Sequence, residues 1–319
     1  MDMSETRHMT VLRGELKLDE PMARHVSWRA GGKVARVYRP ADSDDLCAYL
    51  RQLPADEKIC FIGLGSNTLV RDGGFEGTVI LTHGAAKRPE IVEGSAAGAH
   101  TGRLVRAEAG VASPKVARFA ALHGLGGAEF LAGIPGCVGG ALAMNAGCYG
   151  AETWDVVDRV ETVDRNGALK LRPRSDFATG YRHCELKAEL KTGAIGVDEW
   201  FTAAYFRLPA GDSAVSRARI KELLSRRVAT QPLSLPNAGS VFRNPPGDYA
   251  ARLIESCGLK GLERGGAQVS EKHANFIVNP RRAARASDIE WLIETVRAAV
   301  RQKTGVDLHP EVRIFGDPA

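Results

Sequence analysis

The chain has 319 residues, 44% of them hydrophobic and 25% charged, the balance of an ordinary soluble globular protein. That length exceeds one small core, so two or three domains are expected. Its net charge of +5, from 43 Lys and Arg against 38 Asp and Glu, suits an anionic small substrate, and the interleaving of both signs excludes a dedicated nucleic-acid surface.

Residues 1–14 read as a loose terminal arm. Val34–Tyr38 reads as a short strand, followed by a helix over 43–50 with Asp42 as its N-cap. Ile59–Ile62 is a second strand that runs straight into a glycine loop, Gly63-Leu64-Gly65-Ser66-Asn67, and Thr78–Leu81 is a third. This α/β unit is expected to span 15–82. The next, 83–210, opens on a strand near Leu104–Ala107. Ser113-Pro114 then starts a helix, serine as N-cap and proline in the first turn, that stops at Gly124.

A longer glycine loop follows, Gly133-Ile134-Pro135-Gly136-Cys137-Val138-Gly139-Gly140. Strands over 156–163 and 168–171 then flank Asn166-Gly167, a favoured type I′ hairpin turn. Phe201–Leu208 is another strand, and Pro209-Ala210-Gly211 marks a boundary. The third unit, 211–319, is more helical. It has an arginine-rich helix over 214–228, a helix capped by Asp248 and ended by Gly258, and a capping box at Ser287-Asp288-Ile289-Glu290. Ile289, Leu292, Ile293, Val296 and Val300 line one face of that last helix. Phe276–Val278 and Val312–Phe315 are its strands. There are no internal repeats.

Glycine lets backbone N–H groups crowd around an anion where a Cβ would collide, so the two glycine loops suit the pyrophosphate of a dinucleotide held between subdomains. Neither ends in the Gly-Lys-Ser/Thr of a Walker A loop, and the first lacks the third glycine of a Rossmann fingerprint. The alternative is that glycine merely makes tight turns. Six cysteines (47, 60, 137, 148, 184 and 257) form no C-x-x-C pair, and eight dispersed histidines lack zinc-site spacing, so no metal is expected. No cationic, apolar leader opens the chain and no apolar run nears the ~20 residues that cross a bilayer, so reduced thiols, no membrane insertion and a cytoplasmic location are expected.

The segment Asn237-Ala238-Gly239-Ser240-Val241-Phe242-Arg243-Asn244-Pro245 puts two amides, a serine and a cation into one loop. Folding alone would make Asn237 and Asn244 turn formers and Ser240 a local cap. The loop resembles the signature of the UDP-N-acetylenolpyruvoylglucosamine reductase family. The stretches 63–70, 133–149, Tyr181-Arg182, Gly266-Ala267-Gln268-Val269 and Pro310-Glu311-Val312-Arg313 resemble that family's other motifs over nearly the whole chain.

The resemblance implies an α+β chain: an FAD-binding fold of the vanillyl-alcohol-oxidase and p-cresol-methylhydroxylase type, made of two α/β subdomains, plus a C-terminal α+β substrate domain. It implies bound FAD, NADPH as co-substrate, and reduction of UDP-N-acetylglucosamine enolpyruvate to UDP-N-acetylmuramate in bacterial cell-wall synthesis. In that family the glycine loops hold the FAD pyrophosphate. The implied cofactor contacts are Gly63, Leu64, Gly65, Ser66 and Asn67, then Gly133, Ile134, Pro135, Gly136, Gly139, Gly140, Asn145 and Gly147. The implied catalytic residues are Arg182, gripping the substrate carboxylate; Ser240, the proton donor; and Glu311, working protonated or tightly paired with a cation. Asn244, His273 and Arg227 are implied substrate contacts, with Arg226, Arg227 and Gln231 left open for the diphosphate. The stretch between Arg182 and Ser240 is short, as in the family's type II branch. A monomer is favoured. The rival readings are another non-covalent FAD oxidoreductase of this fold, and a nucleotide-binding relative that has lost the reaction.

Overall fold

The computed structural model describes residues 11–84, 88–93, 102–190 and 193–319. Most of the expected terminal arm lies outside these residues. At its end Arg13 is already tied down, with its N–H donating to Asp45 at 2.7 Å and its guanidinium paired with Asp42.

The first sheet has the order β1-β2-β5-β3, from β1 (Glu15–Pro21), β2 (Lys33–Arg39), β3 (Ile59–Ile62) and β5 (Phe75–Leu81), with β4 (Thr68–Val70) outside it. β1 runs antiparallel to β2, while β2 and β3 run parallel to β5. α1 (Ser43–Gln52) covers one face, and Asp42 accepts from the Asp45 N–H as expected of its N-cap. β1 was not expected, because Leu16 and Leu18 are its only large aliphatics and both face solvent, so it carries no buried stripe to read.

The second sheet is antiparallel, with the order β11-β10-β14-β7-β6. Its strands are β6 (Glu90–Val92), β7 (Arg103–Glu108), β10 (Val157–Asp164), β11 (Leu169–Pro173) and β14 (Glu199–Leu208). The turn between β10 and β11 is not type I′. Asn166 keeps a negative φ, only Gly167 is left-handed (φ +67°), and Gly167 N–H bonds to Asp164 O at 3.0 Å. This is a type I turn closed by a glycine bulge. Asp164 Oδ1 accepts from both Asn166 and Ala168 and selects it.

α2 (Ser113–Leu122) and the short α3 (Val138–Ala143) pack on this sheet. The cap of α2 is Ala112, not Ser113. Ser113 is already helical and fully buried, and its hydroxyl is unpartnered. The helix stops at Leu122, with Gly124 left-handed (φ +66°). α4 (Ser213–Thr230) was expected in the third unit. Instead Ile220 and Leu224 pack into this second core, beside α2. The 209–211 boundary segment likewise bonds back to 124–126.

The third unit is a small sheet, β15 (Glu263–Arg264), β16 (Ala267–Val269) and β17 (Ile277–Val278), under α5 (Ala250–Ser256) and α6 (Ala286–Thr304). Ile289, Leu292, Ile293, Val296 and Val300 are all buried in its core, as their spacing requires. Two expected caps are corrected. Asn244, not Asp248, accepts from the Ala250 N–H at the start of α5. α6 begins at Ala286, and its first N–H groups, Ala286 and Ser287, donate to Asp72 of the first unit at 3.0 and 2.9 Å.

That tie is one of several. Trp28 is fully buried in the third core and donates to Ile277 O at 2.7 Å, and Arg71 pairs with Glu290 at 2.8 Å. The last strand, β18 (Arg313–Phe315), leaves the third unit to pair in parallel with β4. β4 directly follows the first glycine loop, so this pairing carries Glu311 to that loop.

Candidate active site

Gly65 stands at φ +61°, and a Cβ there would come within 2.4 Å of His25 O, so only glycine makes this bend of the first loop. The two glycine loops touch. A Cβ on Gly63 would lie 3.0 Å from Cys137 Cβ, and one on Gly136 3.1 Å from Ser66 Oγ. Gly140, in the first turn of α3, faces open space. The N–H groups of Gly65, Ser66, Asn67 and Gly136 donate no hydrogen bond among the described residues. A cradle with free donors and room before Gly140 fits an anionic pyrophosphate, so these loops could hold FAD.

Arg182 sits in the two-residue turn between β12 (Phe177–Gly180) and β13 (His183–Leu186), at φ +56°. A non-glycine residue held there is strained, which the surroundings must enforce. Its Nε donates to Glu311 Oε1 at 2.7 Å. Its Nη1 and Nη2 approach the carbonyls of Asn145 (3.5 Å) and Gly147 (3.4 Å), the tail of the second glycine loop. That tail ends in a two-strand ladder, β8 (Gly147–Cys148) with β9 (Ala151–Glu152). Asn145, also left-handed, uses its side chain inside the fold: Nδ2 donates to Glu152 and to Gly180 O, and Oδ1 accepts from Trp154.

Glu311 arrives from the other side. Its N–H donates to Val241 O at 2.7 Å, and its carbonyl accepts from Asn67 Nδ2 at 3.1 Å. Burial pushes its carboxyl up from its ordinary value, against the opposing pull of Arg182 and Arg243. The ion pair and the raised carboxyl are compatible, because desolvation outweighs attraction and the proton and Arg182 compete for the same group. Ser240 is half-buried one residue before the Val241 that Glu311 bonds. Asn237 shapes its loop by accepting from Gly239 N–H at 2.9 Å, and Asn275 clamps Phe242 through both N–H and C=O. Asn275 lies 33 residues away from Phe242, and no sequence signal marks it.

The structure thus brings together Arg182, Glu311, the strand after Ser240, and both glycine loops. The other expected substrate contacts stand further out. Asn244 is exposed, its side chain caps α5, and its N–H reaches the Tyr181 hydroxyl at 3.3 Å. His273 packs edge-on against Phe276, and burial lowers its pKa, which favours the neutral ring. It makes no hydrogen bond to the Arg182–Glu311 pair. Arg226 is exposed, whereas Arg227 is half-buried, bonds Gln231 at 2.8 Å and acts electrostatically on Cys148 and Tyr149. Burial pushes the Cys137 thiol up to about 11, so it stays protonated in the loop. Among the described residues no His, Cys, Asp or Glu cluster could hold a metal, and no helix is long and apolar enough to cross a membrane.

Residues 34–171 match the family described as FAD binding domain, and residues 231–315 the one described as UDP-N-acetylenolpyruvoylglucosamine reductase, C-terminal domain. The chain is 56% identical over 334 residues to UDP-N-acetylenolpyruvoylglucosamine reductase of Nitrosospira multiformis, covering 100% of this chain and 94% of that one. It is 57% identical over 312 residues to the enzyme of that name from Thiobacillus denitrificans, covering 96% and 94%. Its fold is similar to the crystal structure of UDP-N-acetylenolpyruvylglucosamine reductase from Thermus caldophilus, with a TM-score of 0.74 and 29% identity over 96% of this chain and 100% of that one.

Proposed function

The chain belongs to the UDP-N-acetylenolpyruvoylglucosamine reductase family, and on that premise we propose which of its residues carry the reaction. It is an FAD-dependent reductase of peptidoglycan synthesis. The substrate is UDP-N-acetylglucosamine enolpyruvate and the product UDP-N-acetylmuramate. FAD held by the glycine loops would supply the redox chemistry, passing hydride from NADPH to the methylene carbon of the enolpyruvyl group. The free N–H groups of Gly65, Ser66, Asn67 and Gly136 and the open side of Gly140 would hold its pyrophosphate. Gly63, Leu64, Gly133, Ile134, Pro135 and Gly139 shape the two loops, with the N–H groups of Ile134 and Gly139 spent on Leu131 O and Ala109 O, and Asn145 and Gly147 shape the wall beside it.

The observation that carries the assignment is the Arg182–Glu311 ion pair, wedged between the tail of the second glycine loop and the strand after Ser240. Hydride addition leaves charge on the carbon next to the substrate carboxylate, and the charge delocalises into that group. Arg182, always cationic and planar, binds the carboxylate through its two Nη groups while Nε stays on Glu311. Ser240 delivers the proton to the carbanionic carbon. A serine hydroxyl suffices because the acceptor is strongly basic and the placement is fixed. Glu311 orients Arg182. Burial raises the Glu311 carboxyl, so it stays ionised beside the incoming substrate carboxylate only while cations face it.

Arg227, with Gln231 bonded to it, serves the diphosphate, which its half-buried position near Tyr149 supports better than the exposed Arg226. Asn244 and His273 border the sugar nucleotide. We divide the chain into two flavin subdomains of the vanillyl-alcohol-oxidase type and a substrate domain. The third unit begins near residue 231, after α4, which packs with the second subdomain. The enzyme works as a cytoplasmic, type II-like monomer.

The test is the visible spectrum of the purified protein. Flavin bands should bleach with anaerobic NADPH and return on adding the enolpyruvyl substrate. Acid precipitation should leave the colour in the supernatant. Bleached flavin that the substrate fails to reoxidise, or colour that stays in the pellet, overturns this reading.

A further inference from the structure

Arg243 is the cation of the Ser240 loop, and no step above uses it. Residues 241–243 and 309–311 run antiparallel. Arg243 N–H donates to His309 O at 2.9 Å, Glu311 N–H donates to Val241 O at 2.7 Å, and Phe242 stands opposite Pro310. In such a pair 243 and 311 are diagonal neighbours on the side opposite 242, within reach of a long side chain. Phe242 is buried in the third core; Arg243 and Glu311 share the other side with Val241, which is buried in that core too, and with the exposed His309.

Among the described residues Arg243 forms no ion pair. Its Nε is buried without an acceptor, although the side chain is only half-buried overall. Buried cations are normally paired, so an unpaired guanidinium beside a catalytic carboxylate needs a reason. The titratable groups that act on Glu311 are Arg182 from the β12–β13 turn and Arg243 from the Ser240 loop. The remaining element against it, the first glycine loop, contributes the neutral amide of Asn67.

We propose that Arg243 is a positioning residue for the reaction: it is the second cation on Glu311, and it holds that carboxylate ionised when Arg182 turns its charge toward the incoming substrate carboxylate. With both cations in place, the ionised site carries a net positive charge and accepts an anion. Without Arg243, Glu311 would take up a proton more readily and would hold Arg182 less firmly. This deepens the proposed function and rests on it for the kinetic arm of the test only.

The direct arm is the carboxyl titration of Glu311 in holoenzyme labelled with carboxyl-13C glutamate, with the signal assigned by its loss in Glu311→Gln. Arg243→Gln should move the Glu311 titration upward by about one pH unit or more, the effect of removing a nearby cation. Arg243→Lys keeps the charge and should restore most of it. The Glu311-dependent limb of the pH profile for reoxidation by the enolpyruvyl substrate should move in parallel. An unchanged Glu311 titration in Arg243→Gln overturns the proposal, as does Arg243→Lys shifting it as far as Gln does. A tenfold weaker substrate Kd with the titration unmoved would make Arg243 a substrate anion contact instead. If the enolpyruvyl compound fails to reoxidise wild-type enzyme, the proposed function falls, while the titration still decides the place of Arg243.

Discussion

Arg182→Lys separates a two-point grip from a point charge. Arg182 uses Nε on Glu311 at 2.7 Å and keeps Nη1 and Nη2 at 3.5 and 3.4 Å from two carbonyls, contacts long enough to give way to a better acceptor. A lysine ammonium is one centre. It cannot hold Glu311 and also present two parallel donors to a carboxylate. Both residues bear the same backbone penalty at φ +56°, so strain cancels in the comparison. Losing one oriented donor to a developing oxyanion costs about 2.7–4 kcal/mol, and ~2 kcal/mol, about thirtyfold in rate, is a lower bound here. The assay is anaerobic stopped flow: enzyme reduced with NADPH is mixed with the enolpyruvyl substrate and the return of flavin absorbance is timed. A lysine variant within a few-fold of wild type in reoxidation would refute the reasoning. Equal damage to flavin reduction would instead mean that Arg182 shapes the cofactor site.

Four further outcomes follow from the same structure. Ser240→Ala should cripple reoxidation in stopped flow and leave flavin reduction by NADPH nearly intact; equal loss in both halves would make Ser240 structural. Glu311→Gln should retain more reoxidation activity than Glu311→Ala. Because burial raises the Glu311 carboxyl, the stability this group contributes is fully present below its unfolded value and lost as pH rises through the folded one. The stability of wild type relative to the Gln variant should therefore fall from pH 4 upward in urea unfolding, and the opposite slope would show the Arg182 attraction winning. Asp72→Ala should cost about 1–2 kcal/mol in the same assay by uncapping α6, and a change under ~0.3 kcal/mol would deny the cap its role.

Much of the site was readable because its residues lie in short local motifs. The Gly63–Asn67 loop follows an apolar strand directly, and the Ser240 loop carries more polar groups than a turn needs. Local signals held where local forces decide. Asp42 caps α1, and Ile289 to Val300 form the buried stripe of α6. They failed where a distant partner took over. The cap of α6 comes from Asp72, 214 residues earlier, and that of α5 from Asn244 rather than its neighbour Asp248. The 164–168 turn was settled by the Asp164 carboxylate accepting from Asn166 and Ala168, which leaves only glycine left-handed. α4 reads as helix from its own spacing, but which core it enters depends on the groove beside α2.

The residues able to do the chemistry, and the loops able to hold an anion, are properties of side-chain type and glycine placement, which a chain carries before it folds. Their assembly is not. Arg182 and Glu311 stand 129 residues apart and meet only because β18 crosses back to pair with β4 beside the first glycine loop, while the 241–243 strand bonds to 309–311. Backbone hydrogen bonds between distant strands carry no side-chain code. The pairing is selected by the burial of Trp28, Phe242 and Ile289 in one shared core, and the raised carboxyl of Glu311 follows from that burial.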